Sequence, residues 1–270
     1  MKKLVSTLMA LVLALSLASC AMAETAEPVE ITVFAAASMT ETIDKIIENY
    51  KAVAPNVTVV VTYDSSGTLK TQIEEGAECD LFISAAQKQM NLLDITSDKN
   101  TDGLDYVLEG TRQNLLENKV ALVVPEGNPA NVTAFADLAN VAMLAIGNSD
   151  VPVGSYSLEI LASLGLDVAD LEAAGKITYG SNVKEVTTQV AEATVDCGIV
   201  YATDAFSAGL TVVDTATPDM CSQVIYPAAV MKSGKQPEAA QAFLDYLRTD
   251  DSKAIFEAVG FSVVDLPAAE

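Results

Sequence analysis

Histidine and tryptophan are absent from the 270-residue sequence, and cysteine occurs only four times. The lack of histidine excludes a histidine-containing zinc site and a His-dependent catalytic triad, and there is no CxxC pair to suggest another zinc motif. Basic residues are also scarce, because 15 Lys and Arg stand against 37 Asp and Glu and give a net charge of −22. This balance argues against nucleic acid or an anionic membrane surface as a partner.

The beginning of the chain has the pattern of an export signal. Lys2 and Lys3 precede an apolar run over residues 4–17, which is short for a membrane span. The next residues, Leu17-Ala18-Ser19-Cys20, resemble a bacterial lipobox, in which the cysteine becomes the lipidated first residue of the mature protein. The pattern therefore predicts an exported lipoprotein.

The expected processing divides the first residues into a signal peptide at 1–19 and a tether at 20–28, with lipid on Cys20. The mature protein would be held at the cell membrane, facing away from the cytoplasm. Ordinary cleavage after Ala23 is the alternative, and it would give a free periplasmic or secreted protein. Loss of residues 1–19 removes two lysines and no acidic residue, so the net charge becomes more negative.

Three cysteines remain if Cys20 is lipidated, and an odd number in an exported protein leaves a free thiol or an intermolecular pair. Cys197 and Cys221 could form a disulfide, but the sequence leaves this open. We assign no role to Cys79.

Apolar runs alternate with helical patterns along the chain, and several runs are continuous, as in parallel strands buried on both faces. The predicted strands are 31–36, 57–63, 80–84, 119–124, 141–146, 198–201 and 210–213. The predicted helices are 40–50, 68–75, 155–164, 183–193, 237–247 and 252–259. This alternation predicts an α/β architecture with parallel sheets, in a chain long enough for two lobes.

Four strand-to-helix junctions place small or hydroxyl-bearing residues before a helix, at residues 34–41, 64–68, 151–155 and 180–185. In the first, Ser38 and Glu41 match an S-x-x-E capping box. In the second, Gly67 would let a ligand approach the backbone. Helix N-termini carry unpaired N–H groups and partial positive charge, so several that converge can bind an anion without Lys or Arg. A serine before a helix is usually only a cap, so each junction by itself is weak evidence for a site.

Several segments in a fixed order carry a resemblance to a known family. They are TVFAAAS (32–38), SSGTL (65–69), GAECDLFISA (76–85), VPVG (151–154), GIVY (198–201), YP (226–227), FL (243–244) and GF (260–261). Over about residues 30–262 the chain resembles the molybdate-binding proteins of ABC importers, the ModA family. The resemblance implies a two-lobed, type II solute-binding fold whose ligand cleft lies between lobes joined by a hinge. Lobe 1 would be 29–116 plus 228–270, and lobe 2 would be 117–227.

The resemblance also implies a set of ligand-binding residues. Ser38 and Ser66 would each give a hydroxyl and a backbone N–H, Val153 and Val183 would give backbone N–H groups, and Tyr201 would give its hydroxyl. These five residues would contact the bound oxyanion, molybdate or tungstate. Molybdenum would be present at the site only as part of that oxyanion. Two departures leave the donors intact: Gly67 replaces a serine of some relatives, and Val153 is larger than the alanine of others.

The implied function is capture of the oxyanion for an ABC permease and its ATPase, by a monomer without cofactor, catalytic residues or nucleic-acid partner. A binding protein for another anion, such as sulfate, phosphate or an organic anion, is the alternative, and ligand competition separates the two. An enzyme on a similar scaffold would show turnover. A sensory domain would lack neighbouring permease and ATPase genes.

The lipobox gives a first testable prediction. Cells should process the chain at Cys20 and retain it on the membrane, whereas Cys20→Ala should be released or left unprocessed. Mass spectrometry of the mature chain is the measurement, and an unmodified chain beginning at Glu24 would contradict lipidation.

Overall fold

The structure is a computed structural model that describes residues 27–264. The predicted signal peptide, the lipidation site Cys20 and most of the predicted tether lie outside these residues. Among the helices of residues 27–264, none combines the length and the apolar character that a membrane crossing needs.

The elements are numbered in chain order. The strands are β1 Val29–Ala36, β2 Val57–Asp64, β3 Leu81–Ile83, β4 Gln113–Asn118, β5 Val120–Val124, β6 Leu144–Gly147, β7 Ile177–Gly180, β8 Cys197–Tyr201, β9 Thr211–Thr215, β10 Val224–Val230 and β11 Ser262–Val263. The α-helices are α1 Thr40–Val53, α2 Ser66–Glu74, α3 Gln87–Leu93, α4 Pro152–Ser163, α5 Val168–Ala173, α6 Val183–Ala191, α7 Ala202–Ser207, α8 Pro237–Tyr246 and α9 Asp250–Ala258. Short 3-10 turns occur at Ala37–Met39 and Phe135–Ala139.

Two sheets form the framework. The first has the strand order β11-β4-β10-β3-β1-β2, and the second has the order β7-β6-β8-β5-β9. The α/β class is therefore confirmed, but the expectation of purely parallel sheets is wrong. Strand β10 runs antiparallel to β3 and β4, and β5 runs antiparallel to β8 and β9. Both strands enter their sheet from the other one through a connection without a helix, so no crossover helix turns them parallel to their neighbours.

The chain passes between the sheets twice. Strand β4 ends at Asn118 in the first sheet, and after Lys119 the chain continues as β5 in the second sheet. It returns over residues 216–223, between β9 and β10. Hinges between two lobes lie in a few loop or strand-end residues, and these two connections are suited to that role.

Alternating side chains of β1 fill the core on both faces of the first sheet. Ile31, Val33 and Ala35 belong to the large core cluster together with Ile43 of α1. Phe34 points to the other face and packs in a smaller cluster around α2. Complete burial of such side chains contributes about 1.5–3 kcal/mol each, which fixes the register and therefore the position of the strand end at Ala36.

The predicted strands and helices occur with their ends shifted by no more than three residues. Gly76 and Gly165 follow helices with positive φ, as expected of helix stops. Strands β4, β7, β10 and β11 and helices α3, α5 and α7 were not predicted. The three described cysteines, Cys79, Cys197 and Cys221, are free thiols, and burial raises the pKa of each.

Candidate functional site

A small, partly enclosed cavity of about 10 Å³ lies where strand ends of the two sheets meet. It is lined by Ala36, Ala37, Ser38, Asp64, Ser65, Ser66, Ala85, Val151, Pro152, Val183 and Tyr201. Four of the five predicted ligand-binding residues are therefore brought together. Val153, the fifth, is completely buried one residue beyond Pro152.

Ser38 lies at the cavity, but its expected capping role is wrong. It belongs to the 3-10 turn Ala37–Met39, and the N-cap of α1 is Met39, which makes no side-chain capping bond. The tighter turn separates Ser38 from the start of α1, so its hydroxyl faces Tyr226 of β10 instead of the helix. There Ser38 Oγ lies 2.9 Å from the hydroxyl of Tyr226.

Ser66 is the first residue of α2, which begins two residues earlier than the sequence predicted. Ser65 is the N-cap, and its Oγ accepts a hydrogen bond of 3.1 Å from the backbone N–H of Thr68. Ser66 is completely buried, and its Oγ accepts a hydrogen bond of 2.9 Å from Ala85 N–H. The Ser66 hydroxyl proton is thus suited to donate into the cavity.

Two further helices begin at the opposite wall. Helix α4 starts at Pro152 after the N-cap Val151, which places Val153 in the first turn. Helix α6 starts at Val183, and the side chain of its N-cap, Asn182, accepts a hydrogen bond of 3.1 Å from Glu185 N–H. The predicted capping of α6 is confirmed. First-turn N–H groups have no partner within their helix, and each N-terminus carries about half a positive charge.

Tyr201 ends β8 and is the N-cap of α7, with a side chain that is 1 % exposed. Its hydroxyl donates a long hydrogen bond of 3.4 Å to the carbonyl oxygen of Ala85. Burial raises the pKa of Tyr201 well above its ordinary value. The hydroxyl therefore keeps its proton at neutral pH and is a neutral donor.

The two walls of the cavity touch each other. Gly67 N–H of α2 donates a hydrogen bond of 3.1 Å to the carbonyl oxygen of Asp150, just before α4. A Cβ atom on Gly67 would lie 2.2 Å from that oxygen, so only glycine permits this approach. Lys184 of α6 also pairs with Glu41 of α1, at 2.8 Å.

The basic side chains near the cavity lie outside its lining. No Lys, Arg or His is among the lining residues, and the one lining carboxylate, Asp64, accepts a hydrogen bond from Ser65 N–H. Lys184 Nζ also lies 3.3 Å from the buried carboxylate of Asp204. Burial raises the pKa of Asp204 to about 6, and the nearby Lys184 limits the rise.

A larger cavity, of about 420 Å³, lies on the first sheet's side of the molecule. Its lining includes Arg112 and Lys232, but both are already neutralised. Arg112 pairs with Asp94 at 2.8 Å, and Lys232 pairs with Asp105 at 2.6 Å. An anion would have to displace these carboxylates, so this cavity is poorly suited to one despite its size.

Sequence reasoning gave no role to Tyr226, Asn118 or Ala85. Tyr226 and Ala85 contact the donor side chains, and Asn118 contacts Tyr226. Tyr226 is in one of the segments that carry the family resemblance, which was the only signal pointing to it. Asn118 is an isolated polar residue at a strand end, and Ala85 contributes only backbone groups. Neither feature distinguishes these residues from many others in the sequence.

Comparison with known proteins agrees with this geometry. Residues 31–262 match the family model described as bacterial extracellular solute-binding protein. The chain is 36% identical over 238 residues to YvgL of Bacillus subtilis (strain 168), a lipoprotein provisionally named an ABC transporter substrate-binding protein, with 87% of this chain and 86% of the relative covered. It is also 36% identical over 242 residues to the molybdate-binding protein ModA of Escherichia coli (strain K12), covering 87% and 89%.

Among solved structures, one match is the substrate-binding domain of a provisionally named molybdenum ABC transporter from Clostridium difficile. The TM-score is 0.65 at 35% identity, with 88% of this chain and all of that one covered. The two-lobed solute-binding fold is thereby confirmed, and the chain is a transport protein of the ABC systems and not an enzyme. The chain belongs to the bacterial extracellular solute-binding protein family.

Proposed function

We propose that this protein captures molybdate or tungstate outside the cytoplasm and delivers it to the permease and ATPase of an ABC importer. The observation that carries the proposal is one cavity lined from both sides by neutral hydrogen-bond donors. The hydroxyls of Ser38, Ser66 and Tyr201 and the first-turn backbone of α4 and α6, at Val153 and Val183, are its donors.

A strongly acidic protein can bind a dianion in this way because the binding field is local. Hydrogen bonds to a charged group contribute roughly 1.5–3 kcal/mol each, and helix N-termini add partial positive charge. Acidic side chains at the surface are screened beyond about 10 Å at ordinary ionic strength. The net charge of −22 is therefore compatible with an anionic ligand.

The ligand would be enclosed by closure of two lobes, 29–116 with 228–270 and 117–227. The change of sheet after Asn118 and the return before Val224 support lobe limits close to these. The backbone contact between Gly67 and Asp150 supports a closed arrangement in which the lobes meet over the cavity.

The names of relatives support the choice of ligand and the anchor. The relative from E. coli is named a molybdate-binding protein, and the solved domain from C. difficile is assigned to a molybdenum transporter. The B. subtilis relative is named a lipoprotein, which supports lipid on Cys20. We infer that the protein acts as a membrane-anchored monomer.

Calorimetric titration of the ligand-free protein tests the proposed ligand. Molybdate and tungstate should bind with similar affinity, sulfate far more weakly and phosphate undetectably. Phosphate keeps a proton at neutral pH, and none of the five proposed ligand contacts is a carboxylate or histidine that would accept it, so that proton is left unpaired at a cost of about 1–3 kcal/mol. Sulfate has the same charge as molybdate but shorter bonds, so some donors fall out of reach. Sulfate binding as tight as that of molybdate would make sulfate the favoured ligand.

Substitution of single donors tests the residue assignments. Tyr201→Phe and Ser66→Ala should each weaken molybdate binding about ten- to a hundredfold, because each removes a hydrogen bond to a charged ligand. Val183→Ala is the control, since its backbone N–H remains, and it should change the affinity little. Ser66→Ala also leaves Ala85 N–H unpaired, so melting of the ligand-free variants is measured alongside. Equal damage from Val183→Ala and Tyr201→Phe would contradict the backbone-donor assignment.

Substitution of Gly67 tests closure. Alanine favours the helix over glycine by up to about 1 kcal/mol, so Gly67→Ala should leave the ligand-free protein as stable or more stable. Its methyl group would collide with the Asp150 carbonyl in the closed arrangement, so molybdate affinity should fall at least about tenfold. Asp150→Ala keeps that carbonyl and should bind like the unmodified protein. Wild-type affinity in Gly67→Ala would contradict closure through this contact.

A further inference from the structure

A chain of buried hydrogen bonds leads from the connection between the sheets to the cavity. The amide of Asn118, at the end of β4, lies 3.2 Å from the hydroxyl of Tyr226, on β10. That hydroxyl lies 2.9 Å from Ser38 Oγ, at the cavity wall. Asn118 is 4 % exposed and Tyr226 is completely buried, so this arrangement is protected from solvent.

The surrounding groups determine the direction of the bonds that the Asn118 side chain makes. The backbone N–H of Lys119 donates to Asn118 Oδ1 at 2.8 Å, which orients the amide so that its Nδ2 faces the other way. One Nδ2 proton goes to Thr203 Oγ1 at 2.8 Å, and the other goes to the Tyr226 hydroxyl. An amide nitrogen can only donate, so the Tyr226 oxygen accepts there.

The next bond in this chain joins the Tyr226 hydroxyl to Ser38. Because Tyr226 accepts from Asn118, its own proton remains available, and Ser38 Oγ lies within reach of it at 2.9 Å. When Tyr226 donates this proton, Ser38 Oγ accepts it, and the Ser38 proton is left to point toward the cavity that Ser38 lines. The bonds polarise one another in the same direction, which strengthens Ser38 as a donor.

We propose that Tyr226 is a positioning residue that holds the Ser38 hydroxyl as a donor, and so makes the site select fully deprotonated oxyanions over those that carry a proton. This inference rests on the proposed function, and it extends that function to the residue behind the ligand contact. Without the bond from Tyr226, the Ser38 hydroxyl can rotate and present a lone pair. A protonated oxyanion would then find an acceptor at Ser38, where the native hydroxyl presents its proton.

The setting of Tyr226 suits this role. Its ring packs edge to face against Tyr201 and Phe261, with ring centroids 5.8 and 5.3 Å apart, so the hydroxyl cannot easily turn away from Ser38. Burial raises the pKa of Tyr226 well above its ordinary value, so the hydroxyl keeps the proton that it donates. Thr203, the second partner of Asn118, lies in α7 on the other side of the connection between the sheets.

The first test is a double-mutant cycle with molybdate as the probe. Tyr226→Phe keeps the ring and removes the donor, so binding should weaken about three- to tenfold by calorimetry. In a Ser38→Ala background the same substitution should change the affinity less than about twofold, because the group that it positions is gone. Equal losses in the two backgrounds would mean that Tyr226 acts through general packing and would overturn the proposal.

The second test compares molybdate with arsenate, at a pH where arsenate keeps one proton. The preference of the unmodified protein for molybdate should fall at least about tenfold in Tyr226→Phe. The molybdate and arsenate affinities of each variant are measured on the same preparation, so a partial loss of folded protein affects both equally and leaves their ratio unchanged. Tyr156→Phe is the matched control: its ring also packs against Tyr201, at 6.4 Å, but its hydroxyl is outside the chain to Ser38, and its ratio should not change.

The outcomes separate this inference from the proposed function. If the unmodified protein binds none of molybdate, tungstate and sulfate, the proposed function fails. If it binds molybdate and Tyr226→Phe keeps both the affinity and the preference over arsenate, the role of Tyr226 fails while the function stands. An equal fall of the preference in Tyr156→Phe would also overturn the proposal.

Discussion

Donation of hydrogen bonds by neutral groups is the interaction on which the arrangement of this protein depends. A cavity without Lys or Arg can favour an anion only if several N–H and O–H groups point to one place. Helices α2, α4 and α6 satisfy this requirement because each begins at the cavity wall. The donors come from both lobes, so the chain must pass from one sheet to the other. It does so twice, at Lys119 and over residues 216–223.

Contact between the two sides relies more on backbone fit than on surface charge. The pair between Lys184 and Glu41 is partly exposed, and such pairs contribute about 0–1 kcal/mol. The contact of Gly67 with Asp150 is different, since a single added methyl group would block it. Closure that depends on a close backbone fit and on the ligand itself would let the lobes reopen for delivery to a transporter.

The sequence predicted those parts of the fold that have a strong local pattern. Continuous apolar runs predicted β1 and β8, and helical spacing predicted α1 and α6. Strand β10 was missed because Pro227 disrupts its pattern. In the structure the pairing register shifts between Tyr226 and Pro227, which accommodates a residue without an N–H group. Strand β4 begins and ends with polar residues, so its short apolar centre gave little signal.

For the site, local sequence predicted helix starts but not the partners of each side chain. Ser38 matched a capping box, yet a 3-10 turn redirected its hydroxyl to Tyr226, which is 188 positions away in sequence. Contacts at such separation arise only when the sheet is assembled. The five proposed donors came from family resemblance, and the structure brings four of them to one cavity with Val153 in the adjacent helical turn. The direction of hydrogen bonding through Asn118 required the three-dimensional arrangement.

A crystal structure of the protein with molybdate, located by its anomalous scattering, is the most direct test of binding by neutral donors. We expect a single ion between the sheets, within hydrogen-bond distance of the Ser38, Ser66 and Tyr201 hydroxyls and of the backbone N–H groups of Val153 and Val183. No lysine or arginine should contact it. Molybdate bound instead beside Arg112 and Lys232 in the larger cavity, or held by a cationic side chain, would contradict this mode of binding.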